Sequence, residues 1–260
     1  MTVATSGGDH LEAECERPAT AGELDILRRL AVRLQRPAPT PGAEVTAAAG
    51  IEIAARCQPA QAGPLGAGDW HDTFPLPDGD LLVVVGDIAG HGIEAVADMV
   101  VARNALRGLA ATGAEPGELL GMLNRAACLF TEELTGTVVC ARYTPATREL
   151  RWARAGHLPL VLVRGGTAVV PPMPDGILLG VGPSARYQQL QLQLRPGDTL
   201  LFFTDGLIER KAASISDALA EFARAAAPVG PDLGGHVAGL LARAASDTGD
   251  DACLLAARIL

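Results

Sequence analysis

From residue 45 onward the chain reads as a succession of short β-forming runs separated by turns, and this succession restricts the fold more than any other feature. "IEIAARC" places Ile51, Ile53, Ala55 and Cys57 on one face. "LLVVVGD" at 81 is a continuous apolar run, the pattern of a strand buried on both sides. "TVVCARY", "ELRWARA", "LVLVR" and "QLQLQL" follow at short intervals, then "TLLFFTD" and "ACLLAARIL". In the glutamine–leucine run, Leu190, Leu192 and Leu194 share a face and leave the other one wet, as in an antiparallel sheet. Two helical stripes interrupt the strands: Ile93, Val96, Ala97 and Val100, then Ile215, Leu219, Phe222 and Ala223. Strands in consecutive hairpins with a few long helices predict an α+β fold built in layers rather than βαβ alternation.

Ahead of this region the pattern changes. Residues 1–20 read as a flexible tail. "GELDILRRLAVRLQR" then spaces Leu24, Leu27, Ala31 and Leu34 by threes and fours, which predicts a helix over 23–36 with one apolar seam. "PAPTPG" at 37–42 ends it. The chain thus divides into an N-terminal segment, 1–42, and one domain, 43–260. The seam either packs on its own domain or forms a homodimer contact; two heptads are too few to hold a coiled coil alone.

Bulk properties exclude several function classes. Apolar residues make up 48% of the chain, enough for a sizeable core, but aromatics only 3%, so small and branched side chains must fill it. The net charge of −9 repels phosphate backbones and argues against nucleic-acid binding, while it suits divalent cations. Five scattered cysteines without CxxC spacing predict neither a disulfide framework nor a zinc knuckle, and point to a reducing compartment. No uncharged apolar run reaches membrane-span length, and the N-terminus is too polar for a signal peptide, so a cytoplasmic location without membrane contact is expected.

Acidic residues recur where apolar or small-residue segments meet turns: Asp69 in "GAGDWHD", Asp87 in "VVVGDIAGHG", Asp205 in "LLFFTDGLIE", and Asp250 with Asp251 in "TGDDACLLAARI". A single aspartate in such a place is ordinarily a turn former or helix cap. Several of them at strand ends are costly to desolvate without positive compensation, and Lys211 is the only lysine in the second half of the chain. A divalent metal is the simplest compensator, and all-oxygen ligands select Mg2+ or Mn2+. Gly86, Gly90 and Gly92 would let the backbone turn tightly beside such an ion.

"GDWHDTFPLPDGDLLVVVGDIAGHGIEA", "ATRELRWARAGHLPLVLV", "LLGV", "RPGDTLLFFTDGLIE" and "DDACLLAARI" resemble, in that order, the SpoIIE-like branch of the metal-dependent serine/threonine protein phosphatases, the bacterial relatives of protein phosphatase 2C. The resemblance runs over residues 45–260. It implies a four-layer α-β-β-α sandwich of two mainly antiparallel sheets, with the acids converging at one end. It implies two divalent ions, Mn2+ or Mg2+, held by Asp69, Asp87, Asp205 and Asp250 with the carbonyl of Ile88, and Asp251 supporting them. Asp69 and Asp87 then count among the catalytic residues, and water activated by the ions attacks phosphorus in line, with no nucleophilic side chain. His91 offers a proton donor for the leaving alkoxide or a structural group. His157, in "RAGHLP", reads mainly as a turn stabiliser, and His10 and His236 as exposed loop residues.

The implied substrate is a phosphorylated protein, an anti-anti-sigma factor in a partner-switching pathway. The chain departs from the family pattern at Ala67, at His71 and at Cys253, where threonine is usual. The segment 211–249 is short, so a substrate-facing flap is trimmed. These departures keep open a second reading, a weak or inactive phosphatase fold acting as a regulatory binding module. A Mg2+-nucleotide site is disfavoured, since neither GxxxxGK[ST] nor GxGxxG follows a strand. Some forty residues ahead of the domain are too few for a sensor, so control by a partner or by dimerisation through the 23–36 helix is expected.

Overall fold

Short runs with one apolar face pair antiparallel and must cover that face with a second layer. The computed structural model of the chain, which describes residues 22, 49–58, 68–131, 134–208, 214–244 and 251–260, does this with two five-stranded sheets. The first contains β1 (Ile51–Gln58), β10 (Ala252–Ile259), β9 (Thr199–Phe203), β6 (Val161–Arg164) and β7 (Thr167–Val169), in that spatial order. The second contains β2 (Trp70–Pro75), β3 (Leu81–Ile88), β4 (Gly136–Thr144), β5 (Glu149–Ala155) and β8 (Leu190–Gln193). All neighbouring strands within each sheet run antiparallel.

Helices α1 (Gly92–Ala110) and α2 (Pro116–Phe130) cover the outer face of the second sheet. Their apolar residues meet Trp70, Leu82, Val84, Ile88, Val138 and Cys140. Helices α3 (Ile215–Ala226) and α4 (Leu233–Ala244) cover the first sheet through Leu201, Phe203 and Leu254. A third cluster fills the space between the sheets, with Val83, Val85, Tyr143, Trp152, Phe202 and Leu255 among its members. The expected four-layer α-β-β-α sandwich is therefore what forms. No helix among the described residues is long and apolar enough to cross a membrane.

Details depart from the sequence reading. On α1 the buried line is Ala95, Val96, Met99, Ala102 and Leu106, while Ala97 is exposed, so the inward face is turned from the expected stripe. On α3, Ala218, Phe222 and Ala223 face inward and Ile215 is 68% exposed. His236 lies in helix α4, half-buried, and not in an exposed loop: Asp232 Oδ1 accepts from the Gly235 amide at 2.8 Å and starts the helix. Helix α2 is an addition, with Pro116 in its first turn and a Glu115–Glu118 capping box. The N-terminal helix expected over 23–36 lies outside the described residues.

The cysteines add one feature: Cys57 and Cys253 face each other across β1 and β10, their Cα atoms 4.0 Å apart, near enough for the two sulfurs to pair. Sequence spacing hides this pair, because 196 residues separate partners that strand register sets directly opposite.

Candidate metal centre

Alternation along the strands decides which side chains enter the gap between the sheets. In β3, Leu81, Val83 and Val85 fill that gap, so Asp87, two residues on, continues the same row at the strand's end. In β10, Cys253's parity is that of Leu255 and Ala257, which line the gap, and Asp251 precedes it by one further step of two. In β9, Leu200 and Phe202 lead by the same step to Thr204. Three chain segments thus deliver oxygen-bearing side chains to one end of the inter-sheet space.

Asp69 comes to the same place from β2. Its position requires Gly68, because a Cβ there would stand 2.0 Å from the Ile88 carbonyl oxygen. The Ile88 amide donates to the Gly68 carbonyl at 3.2 Å, which fixes Asp69 alongside the Asp87–Ile88 turn. The turn itself runs through Gly90 and Gly92 at φ of 108° and 80°, values that favour glycine. Gly86 serves another purpose than the expected turn: it lies in mid-strand under the Trp70 indole, which a Cβ would meet at 2.5 Å.

The Asp69 carboxyl is held well above the ordinary carboxylate range. Burial is the main cause, the charge of Asp87 comes next, and those of Asp205 and Asp251 add to it. The Thr204 hydroxyl opposes the shift by donating to Asp69 Oδ2 at 2.6 Å. Thr204 is fully buried and accepts in turn from the Cys253 amide at 2.8 Å. Carboxylates from both sheets therefore act on the buried Asp69 carboxyl: Asp87 from the second sheet, and Asp205 and Asp251 from the first. Asp205 opens a short 3-10 turn after β9 and is exposed. Asp250 lies outside the described residues; the charge of its neighbour Asp251 reaches Asp69.

Donor chemistry fits a hard divalent cation: the side chains that act on one another are carboxylates, and the nearest hydrogen-bond support is a hydroxyl. Among the described residues no group of three or more His, Cys, Asp or Glu side chains is gathered tightly enough to hold an ion unaided. Ile88 is buried, with its carbonyl facing the Gly68 backbone. His91 is exposed at the N-cap of α1, where its side chain makes no capping bond.

His157 does more than steady a turn. Fully buried, it bridges the two sheets: Nδ1 is 2.7 Å from the Thr137 hydroxyl and Nε2 is 3.1 Å from the Phe203 carbonyl. With the proton on Nε2, the ring donates to Phe203 and accepts from Thr137. Thr137 pairs with Asp87, and Phe203 precedes Asp205 by two residues, so the imidazole ties together the strands that carry both acids. Burial lowers its pKa to about 4, with the Arg154 charge adding to the shift and the Phe203 carbonyl opposing it, so the ring is neutral at pH 7. Thr204 is the supporting residue that sequence reasoning missed, its only signal being its place beside Asp205; His157, read there mainly as a turn stabiliser, also joins the two sheets.

Comparison with known proteins gives this geometry a context. The family profile described as Stage II sporulation protein E (SpoIIE) matches residues 77–260. The phosphoserine phosphatase RsbU of Bacillus subtilis (strain 168) is 27% identical over 150 residues, covering 55% of this chain and 43% of that protein. The RsbU and RsbW domains of Rv1364c from Mycobacterium tuberculosis superpose with a TM-score of 0.72 at 32% identity, covering 80% of this chain and 61% of that one. The SiaA-PP2C domain of Pseudomonas aeruginosa superposes with a TM-score of 0.70 at 20% identity, covering 91% and 96%. The matched part thus spans less than two thirds of either chain, 43% of RsbU and 61% of the Rv1364c structure.

Proposed function

The chain belongs to the SpoIIE family of protein phosphatase 2C-type phosphatases, and from that membership we propose that it hydrolyses phosphoserine or phosphothreonine on a regulatory protein in a divalent-cation-dependent reaction. The observation that carries the reading is Asp69: a buried carboxyl, pressed by three other carboxylates and kept in place by Thr204, at the open end of the inter-sheet space. Such a cluster is stable as anions only with a cation among them.

Asp69, Asp87, Ile88, Asp205 and Asp250 are the residues assigned to hold two ions, Mn2+ or Mg2+, with Asp251 in support. The bound ions supply Lewis acidity toward the phosphoryl oxygens and toward water. The protein's part is positional. Thr204 orients the Asp69 carboxylate, His157 keeps the two acid-bearing strand ends in register, and the turn at Gly90 leaves His91 on the surface, where it can meet the serine or threonine side of the substrate. In that place His91 serves as proton donor to the leaving alkoxide.

The substrate we assign is a phosphorylated anti-anti-sigma-like protein. In support, RsbU is a phosphoserine phosphatase, and Rv1364c joins an RsbU domain to an RsbW domain. The test is hydrolysis of p-nitrophenyl phosphate and of phosphorylated anti-anti-sigma proteins with Mn2+, beside Asp87→Asn. Turnover that requires the ion and disappears in the variant is expected. No turnover of either substrate with any divalent ion would leave the alternative, a non-catalytic binding module with the same fold.

A further inference from the structure

Cys57 and Cys253 stand directly opposite each other on β1 and β10, at the same end of the sandwich as the carboxylates. Cys57 is exposed and Cys253 is buried, so one partner can be reached from solvent and the other is sheltered. Cys253, the second residue of β10, follows Asp251 by two residues. Its amide donates to Thr204 Oγ1 at 2.8 Å, and its carbonyl accepts from the Thr204 amide at 3.1 Å. The Thr204 hydroxyl then reaches Asp69 at 2.6 Å. Two hydrogen bonds connect the sulfur pair to the buried carboxyl, and two residues of strand connect it to Asp251.

We propose that Cys57 and Cys253 form a reversible oxidation site, a dithiol that hydrogen peroxide closes and a thiol or phosphine reductant opens, and that closure tightens the neighbouring cation site. Exposed disulfides are the ones open to reduction and regulation, whereas buried ones persist. In the forward step the Cys57 sulfur takes one oxygen from peroxide, becoming a sulfenic acid and releasing water. The Cys253 sulfur then displaces that oxygen as a second water and forms the S–S bond. Two thiols give up two electrons and two protons, and peroxide is reduced to two waters. Closure ties the first residues of β10 to β1, which holds Cys253 against Thr204 and Asp251 at the mouth of the gap. Opening removes the covalent tie and leaves the same segment held by backbone pairing to β1 on one side and by β9 and Thr204 on the other.

The coupling rests on the cation reading of Asp69 and Asp251; the oxidation site does not, and the experiment separates them. Purified full-length chain is treated with peroxide or with a phosphine reductant. It is then alkylated and its peptides weighed, and it is melted with and without Mn2+. Expected are a linked Cys57–Cys253 peptide pair after peroxide and alkylated Cys57 after reduction. The apparent Mn2+ dissociation constant should rise about tenfold on reduction, in line with loss of support to a ligand. Cys57→Ser, which leaves the Cys253 backbone bonds in place, should bind Mn2+ like the reduced chain under both conditions. Full alkylation of both cysteines after peroxide would overturn the site. A linked pair with equal Mn2+ affinity in both states would overturn the coupling. A linked pair with no Mn2+ response in either state would overturn the cation reading and leave the oxidation site standing.

Discussion

At the scale of single residues, Thr204 shows how much of this site depends on groups that bind nothing themselves. Its hydroxyl has one donor and spends it on Asp69, while its acceptor capacity is taken by the Cys253 amide. Thr204→Val keeps the shape and removes both bonds, leaving a buried carboxylate and a buried amide without that partner. Support of this kind is worth about 10–100-fold in ion affinity. We expect a loss of that size in the Mn2+ dependence of turnover, with Thr204→Ser restoring most of it. A valine variant with unchanged Mn2+ affinity would remove Thr204 from the site. Asp87→Asn should act with opposite signs on function and on stability. It removes a charge that presses on Asp69, so turnover should vanish while the ion-free chain melts higher, by about 2–4 °C for a relief near 1 kcal/mol. A lower melting point in EDTA would show that the carboxylates do not repel one another as described.

At the scale of elements, His157 joins the sheets and gives the fold a pH dependence. Both His157 and His71 are buried, and their pKa values are lowered to about 4 from the ordinary 6.5. Between those limits the unfolded chain binds protons that the folded chain refuses, so stability is full above pH 6.5, falls as the pH drops toward 4, and levels off below it. For His157 the loss amounts to about 3 kcal/mol. Urea midpoints measured from pH 7 to 4.5 should fall less steeply in His157→Gln than in the unaltered chain; parallel curves would place the titrating group elsewhere. The elements that were legible in the sequence were those with a repeating apolar signal, such as the β3 run and the leucines of β8. Strand β2 was not, because "WHDTFP" buries His71, Asp72 and Thr73. Asp72 is neutralised by Arg107, whose Nε and Nη2 lie 2.5 and 2.7 Å from its two oxygens, a compensation from 35 residues away that no local pattern carries. The acids themselves were legible as carboxylates at strand ends. Their support by Thr204, His157 and Cys253 was not, since each contact joins strands distant in sequence.

At the scale of the whole molecule, charge is distributed so that a cation would act as a structural part. Asp69 and Asp87 belong to one sheet, and Asp205 and Asp251 extend from the other, while the remaining inter-sheet space is apolar. Repulsion is therefore confined to one end of the sandwich and acts to part the sheets there. An ion bound across that end replaces repulsion with attraction between the two layers, and binding to the folded chain alone stabilises it by mass action, about 2.7 kcal/mol at one hundred times the dissociation constant. Adding Mn2+ to EDTA-treated chain should raise the melting point by about 5–10 °C at that excess, given a shift of about 2–4 °C per kcal/mol for a chain of this size. Sodium chloride at equal ionic strength should not reproduce the rise, because screening weakens repulsion without joining the layers. Asp69→Asn, on one sheet, and Asp205→Asn, on the other, should each diminish the Mn2+ response, whereas a substitution at the distant Asp198, held by Arg164, should leave it intact. If the Asp69 variant alone lost the response, the ion would belong to one sheet only, and the bridging role assigned to it would fail.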